Sequence, residues 1–118
     1  MTTETDRELL ELAAKAAGIE YDAEKSKPHP ISGAWWGLWL VYHREPTEYD
    51  RRYWNPHIDD GDALRLAVRL GIFDKPEFWH LRSLERFARQ ECDDCTATRR
   101  AITRAAAEIG REMKGQTS

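Results

Sequence analysis

The pattern of apolar and polar positions predicts three helices in this chain. Within residues 5–17, 59–70 and 96–115, apolar residues recur every three or four positions, which places them on one side of a helix. The stripes expected to be buried are Leu9, Leu12, Ala13, Ala16 and Ala17 in the first, Ala63, Leu64, Ala67, Val68 and Leu70 in the second, and Ala97, Ala101, Ile102, Ala105, Ile109 and Met113 in the last.

Capping residues mark the ends of these helices. Thr5 is the predicted N-cap of the first helix, and a glutamate three positions later completes a capping box. Asp59 or Asp60 is expected to cap the second helix, and Asp94 or Thr96 the third. The glycines that follow the stripes, where a left-handed residue commonly ends a helix, are Gly18, Gly71 and Gly115.

Aromatic and β-branched residues predict the strands. The segment from Ala34 to Tyr42 is the strongest candidate, because such residues favour a pleated sheet and both of its faces are bulky. Residues 19–23 form a shorter candidate. Residues 24–32 and 43–52 are polar and contain prolines, so we expect loops there.

Residues 72–90 fit two interpretations. Four apolar residues recur at helical spacing from Phe78 to Phe87, and Pro76 suits a first helical turn. The same stretch could form two short strands with a turn near Arg82 and Ser83. Periodicity alone slightly favours the helix.

Three stretches of the chain, taken together, suggest a family. They are Arg7–Gly18, then Trp54-Asn55-Pro56 followed by Asp59–Ala67, and then Ala97–Ile102 continuing to Ala107–Arg111. In this order they resemble a family of short proteins of tailed phages and prophages, described as a phage alpha-beta-alpha sandwich domain, whose function is largely unassigned. The resemblance implies helices packed on a small antiparallel sheet, with strands rather than a helix in residues 72–90, and it carries no catalytic residues.

Pattern and resemblance together define the expected fold. The 118 residues correspond to a single domain, residues 1–118. We expect an α/β protein of the α+β type, with three helices packed on a small antiparallel sheet in the order α-β-β-α-β-β-α.

The distribution of charged and apolar residues indicates which partners and which location to expect. The formal net charge is −3, with seven acids and two bases in residues 1–24 and five bases and two acids in residues 96–118. This acidic balance makes nucleic acid an unlikely partner, since a general nucleic-acid binder is usually basic. Neither a signal peptide nor an apolar run of about 20 residues is present. We therefore expect a cytoplasmic protein, in a bacterial host during infection, that does not engage a membrane.

Two cysteines have the spacing of a chemical motif. Cys92 and Cys95 enclose two aspartates, and thiolates at this spacing can bind zinc or form a redox disulfide. The four histidines lack the paired spacing of zinc ligands. We therefore favour plain thiols in a turn before the last helix over a metal site or a redox pair.

A second cluster concentrates acidic side chains. Asp59, Asp60 and Asp62 follow His57 closely, and carboxylates this near to one another could hold a divalent cation. His57 with Asp59 could also act in acid–base chemistry. The spacing does not match an EF-hand loop, and helix capping is the favoured interpretation.

The aromatic residues form the third candidate site. Seven of the twelve aromatic residues fall within twenty positions, more than a two-layer domain of this size can readily bury. Tryptophan and tyrosine supply interface hot spots and stack on nucleobases, and nearby arginines could pair with phosphates. The predicted contact residues are Trp35, Trp36, Trp39, Tyr42, Arg44, Tyr49, Arg51, Arg52, Tyr53 and Trp54.

These features predict a non-enzymatic phage accessory binding protein without a cofactor. We expect it to antagonise a host defence system, either by occupying a bacterial protein or by sequestering a small signalling nucleotide, the latter as a homo-oligomer. The alternatives are a metal-dependent enzyme using His57, Asp59, Asp60 and Asp62, and a nucleic-acid-binding protein using the basic last helix.

Overall fold

A computed structural model describes residues 5–41, 53–88 and 93–116, and within these ranges it confirms a mixed α+β fold. Four helices and a three-stranded antiparallel sheet are present in this part of the chain. Their bounds are α1 Asp6–Ala17, β1 Tyr21–Asp22, β2 Leu38–Leu40, β3 Tyr53–Trp54, α2 Asp60–Leu70, a 3₁₀ turn Ile72–Asp74, α3 Pro76–Ala88 and α4 Asp94–Gln116.

The ends of α1 and α2 agree with the sequence analysis. Thr5 caps α1 with its hydroxyl oxygen, which accepts a hydrogen bond from the amide of Glu8 at 3.1 Å. Asp59, one of the two predicted candidates, caps α2. Both helices end at a left-handed glycine, Gly18 and Gly71. These ends were predictable because each depends only on residues within one helical turn.

Both predicted ends of α4 are wrong. Its first amides are capped by Asp93, whose carboxylate accepts a hydrogen bond from the Thr96 amide at 2.7 Å, rather than by Asp94 or Thr96. That hydrogen bond is the main cause holding the pKa of Asp93 below its ordinary value. Gly115 does not end the helix, which continues to Gln116.

The predicted strands in residues 72–90 are wrong over the described part of this stretch. The chain forms the 3₁₀ turn and then α3, so the predicted helix count of three and the order α-β-β-α-β-β-α are corrected as well. Phe78 is fully buried and Leu81 packs against the core. The helical spacing of apolar residues was therefore the better guide here, and the resemblance was not.

The sheet is smaller than the sequence suggests, and its register assigns each residue to a face. The candidates at 34–42 and 19–23 contribute only β2 and β1, and β3 was not predicted as a strand. β2 lies between β1 and β3. The cross-strand partners are Tyr21 with Leu40, Asp22 with Trp39, Leu38 with Trp54, and Trp39 with Tyr53. Because neighbouring residues alternate between faces, Leu38 and Trp54 point to the core while Trp39 and Tyr53 share the outer face.

Helix α4 packs against each of the other three helices, and α1 lies between α4 and the sheet. The buried residues of α1 and α4 are mostly small, and Ala13, Ala14, Ala101 and Ala106 among them are fully buried. Small side chains let the two helices approach closely. None of the helices in the described ranges combines the length and apolar character needed to cross a membrane.

The side of α2 that faces the core agrees with the prediction only in part, at Ala63 and Ala67. Its buried apolar residues are Ala63, Leu66 and Ala67, whereas Leu64 is 56% exposed and Val68 is 68% exposed. The apolar stripe was too wide to fix the orientation of the helix, so two large apolar side chains remain in solvent.

Candidate functional site

Three aromatic side chains converge on the outer side of the sheet. The rings of Trp39 and Tyr53 meet edge to face, with centroids 4.9 Å apart at 81°, and the Trp36 ring lies 6.0 Å from Tyr53 at 43°. The ammonium group of Lys25 lies 5.6 Å from the centre of the Trp39 ring. Trp36 is 53% exposed. We call Trp36, Trp39 and Tyr53, with Lys25, the aromatic face.

The backbone before β2 approaches β3 closely. Gly37 has a φ of +126°, and a Cβ atom at this position would collide with the carbonyl oxygen of Trp54. The side-chain amide of Asn55 lies 3.4 Å from the carbonyl oxygen of Trp36. These contacts hold the Trp36 backbone against β3 and leave its indole ring on the outside.

Ser26 anchors the connection between β1 and β2. This fully buried residue donates its hydroxyl to the carbonyl oxygen of Asp22 and accepts from the amide of Trp39 at 2.8 Å. Its own carbonyl oxygen accepts from the indole Nε1 of Trp35 at 2.5 Å. Trp35 is therefore half-buried against the core, and its role as a contact residue stays a prediction.

The ten predicted contact residues divide into three groups. Trp36, Trp39 and Tyr53 are brought together at the surface. Trp35 and Trp54 form the second group. Trp35 packs against the core, and Trp54 is only 5% exposed and belongs to the core, because its place opposite Leu38 points it inward. Tyr42, Arg44, Tyr49, Arg51 and Arg52 lie outside the described residues.

The predicted acidic cluster has structural roles. The carboxylate of Asp62 is buried and accepts from the amide of Asn55 at 3.0 Å and from Arg65 at 2.8 Å. The carboxylate of Asp59 accepts from the amide of Asp62 at 2.7 Å. Among the described residues, no group of three or more histidine, cysteine, aspartate or glutamate side chains is arranged to hold a metal ion.

His57 and Asp60 connect the segment before α2 to α4. The guanidinium of Arg99 donates to the His57 carbonyl oxygen at 2.9 Å and to the Asp60 carboxylate at 2.7 Å. The His57 ring is buried, with Nδ1 3.5 Å from Arg100. A substrate outside the fold would not reach this imidazole, so the geometry does not favour the acid–base hypothesis.

The basic residues in the middle of α4 form ion pairs with acids on α1 and α3. Arg100 donates to Asp6 at 3.0 Å and lies 3.4 Å from Glu85. Arg104 donates to the same buried Glu85 at 3.2 Å. These arginines join α1, α3 and α4, and no described feature favours them as phosphate contacts.

Cys95 is an exposed free cysteine in the first turn of α4, while Cys92 lies outside the described residues. The predicted turn before the last helix thus contains at most one of the two thiols, because Cys95 is already helical. That the two cysteines are plain thiols, rather than a metal site or a redox pair, stays a prediction.

A second apolar area, which was not predicted from the sequence, lies on the helical side. Trp79 on α3 is 55% exposed. A cavity of about 260 Å³ opens between α2, the 3₁₀ turn and α4. Trp79 lies one position beyond buried Phe78, off the apolar stripe, so a helical interpretation of this segment would have placed it outside. The cavity has no signal in the sequence, because three separate elements form it.

Comparisons with protein-family models, with curated proteins and with solved structures find no match to this chain.

Proposed function

We propose that this protein is a non-enzymatic phage accessory protein that binds a bacterial defence protein through the aromatic face. The observation that carries the proposal is the exposed indole of Trp36 beside Trp39 and Tyr53. Tryptophan and tyrosine are enriched among the residues that dominate binding energy at interfaces. The phage origin and the defence target rest on the resemblance described above.

The ring geometry supports a protein partner more than a nucleotide. A base held between two rings needs them to face each other, but the rings here meet at 81° and 43°. A partner pocket that receives the Trp36 indole needs no such pair. Sequestration of a signalling nucleotide is therefore the second candidate, with the base stacked on the open side of Trp36.

The acidic cluster supports the assignment to a binding protein rather than to an enzyme. Asp59 caps a helix, Asp62 binds backbone and guanidinium groups, and Asp60 pairs with Arg99. Each carboxylate already contributes to the fold, so none is reserved for a reaction.

Genetic complementation tests the proposed function. We expect deletion of the gene to reduce phage plating on a host that carries the defence system. Wild-type protein should restore plating, whereas Trp36→Ala should not, because loss of a tryptophan hot spot weakens binding about 30-fold or more. Phe87→Ala removes another exposed aromatic side chain, on α3, and should restore plating as the wild type does.

Far-UV circular dichroism must show that both variants fold. We expect both to fold, because Trp36 is half-exposed and Phe87 is highly exposed. Plating that does not change on deletion contradicts the defence role. Full rescue by Trp36→Ala contradicts the aromatic face as the contact surface.

A further inference from the structure

A second apolar surface lies on the helical side of the molecule. Leu64 and Val68 on α2, Phe73 in the 3₁₀ turn and Trp79 on α3 are all exposed. Phe73 and Trp79 are connected through buried Phe78, whose ring centroid is 5.4 Å from the first and 4.8 Å from the second. We call the four exposed residues the helical apolar surface.

The 260 Å³ cavity opens within this surface. Leu64 and Phe73 belong to both, and Ala63 and Ile102 complete its apolar lining. The polar lining comprises Thr98, Arg99 and two carboxylates, those of Asp60 and Asp94. Asp60 pairs with Arg99, and both carboxylates are largely exposed. The site thus combines an apolar interior with hydrogen-bond acceptors that solvent can reach.

A tryptophan side chain has the chemistry that this cavity requires. An apolar cavity of about 150 Å³ holds a benzene molecule, so 260 Å³ has room for the two fused rings of indole. The indole N–H is a donor without acceptor capacity, and Asp60 or Asp94 can accept from it. Buried tryptophan usually needs such a partner for its N–H.

The chain itself presents such a side chain on the same surface. Trp79 is exposed, and the ring of Phe78 connects it to Phe73 at the edge of the cavity. In a two-fold dimer the same patch is used by both copies, so a protruding group and its receptor must lie side by side on one surface. Trp79 and the cavity satisfy this requirement.

The exposed area also suits a dimer. With about 200 Å² for each large side chain, the exposed fractions of the four residues leave on the order of 400 Å² of apolar surface. A standard interface covers about 800 Å² per partner, of which about 56–65% is apolar. The helical apolar surface supplies most of that apolar share.

We propose that two copies of this chain associate through the helical apolar surface, with Trp79 of each copy inserted in the cavity of the other. The dimer contact includes neither Trp36 nor the rest of the aromatic face, so this proposal does not depend on the proposed function. Both aromatic faces remain available to partners.

Analytical ultracentrifugation from about 1 µM to about 1 mM tests the dimer. The wild-type chain should shift from monomer to dimer with concentration. Trp79→Ala removes the inserted group, and Leu64→Glu places a charge at the cavity. Each should raise the dissociation constant about 30-fold or more. Trp36→Ala is the matched control and should dimerise like the wild type.

A mixture of the two variants gives the sharper test. Trp79→Ala keeps its cavity and Leu64→Glu keeps its tryptophan, so one of the two contacts can form between them. The mixture should dimerise more strongly than either variant alone, while circular dichroism shows both to be folded. A wild-type chain that stays monomeric at about 1 mM overturns the proposal. So does a mixture that associates no better than its components, or a dimer that Trp36→Ala disrupts.

Discussion

At the residue scale, Gly37 lets the backbone next to Trp36 approach β3 closely. Its positive φ is rarely adopted by other residues, and its missing Cβ leaves space for the Trp54 carbonyl group. Asn55 lies against the same backbone. The face therefore depends on a residue that cannot itself contact a partner through a side chain.

Gly37→Ala should lower the free energy of unfolding by about 2 kcal/mol or more, because strain at a positive φ adds to a backbone collision. Gly33 is the matched control. It also has a positive φ, of 73°, but open space around its Cβ position, so Gly33→Ala should cost only about 1 kcal/mol. Urea unfolding followed by tryptophan fluorescence measures the free energy of unfolding of both variants. An equal loss of stability in the two would contradict the close approach at Gly37.

At the scale of elements, the sequence predicted the ends of α1 and α2, which local chemistry decides, but not the ends of α4. The caps Thr5 and Asp59 and the glycines after α1 and α2 act within a turn, and all four were identified. Strand β3 was missed because two residues are too few to show alternation. The orientation of Trp54 was missed for a related reason, since it depends on pairing with distant Leu38.

Gly110 provides a prediction at this scale. Alanine usually stabilises the interior of a helix relative to glycine, by about 0.5–1 kcal/mol. A Cβ at Gly110, however, would collide with the backbone carbonyl of Leu12 on α1, so Gly110→Ala should force the helices apart and cost about 1–3 kcal/mol.

Gly61→Ala is the control for this substitution. Gly61 also lies in a helix, but its nearest neighbours are the ends of two side chains, Arg65 and the capping Asp59, at 3.1–3.2 Å rather than backbone. A shift of a few tenths of an ångström in these side chains makes room for a methyl group. The free energy of unfolding should change by less than about 1 kcal/mol. If chemical denaturation shows Gly110→Ala to be as stable as Gly61→Ala, the close packing of α1 on α4 is wrong.

At the scale of the whole molecule, an ionic network joins elements that are distant in sequence. Glu85 on α3 is buried and pairs with Arg100 and Arg104 on α4, and Arg100 also reaches Asp6 on α1. The sequence showed an acidic beginning and a basic end but not this pairing. Nor could it show the cavity, which depends on how α2, the 3₁₀ turn and α4 pack.

Glu85→Gln should destabilise the protein by about 3 kcal/mol, because it leaves the enclosed guanidinium of Arg100 with less compensating charge. Glu108 pairs with Arg111 on the exposed side of α4, so Glu108→Gln should cost less than about 1 kcal/mol. Thermal and urea unfolding at neutral pH compare the stabilities of the two variants. Similar losses would show that the Glu85 network contributes no more than a surface pair.

The contact between Leu12 and Gly110 also has a consequence for how the chain folds as it is made. The two residues are roughly a hundred positions apart, and folding slows as contacts become more distant in sequence. During synthesis, α1 can contact β2 and α2 first, but it lacks its main packing partner until α4 has left the ribosome. We therefore expect the helical core to form late, with part of the apolar side of α1 exposed until then.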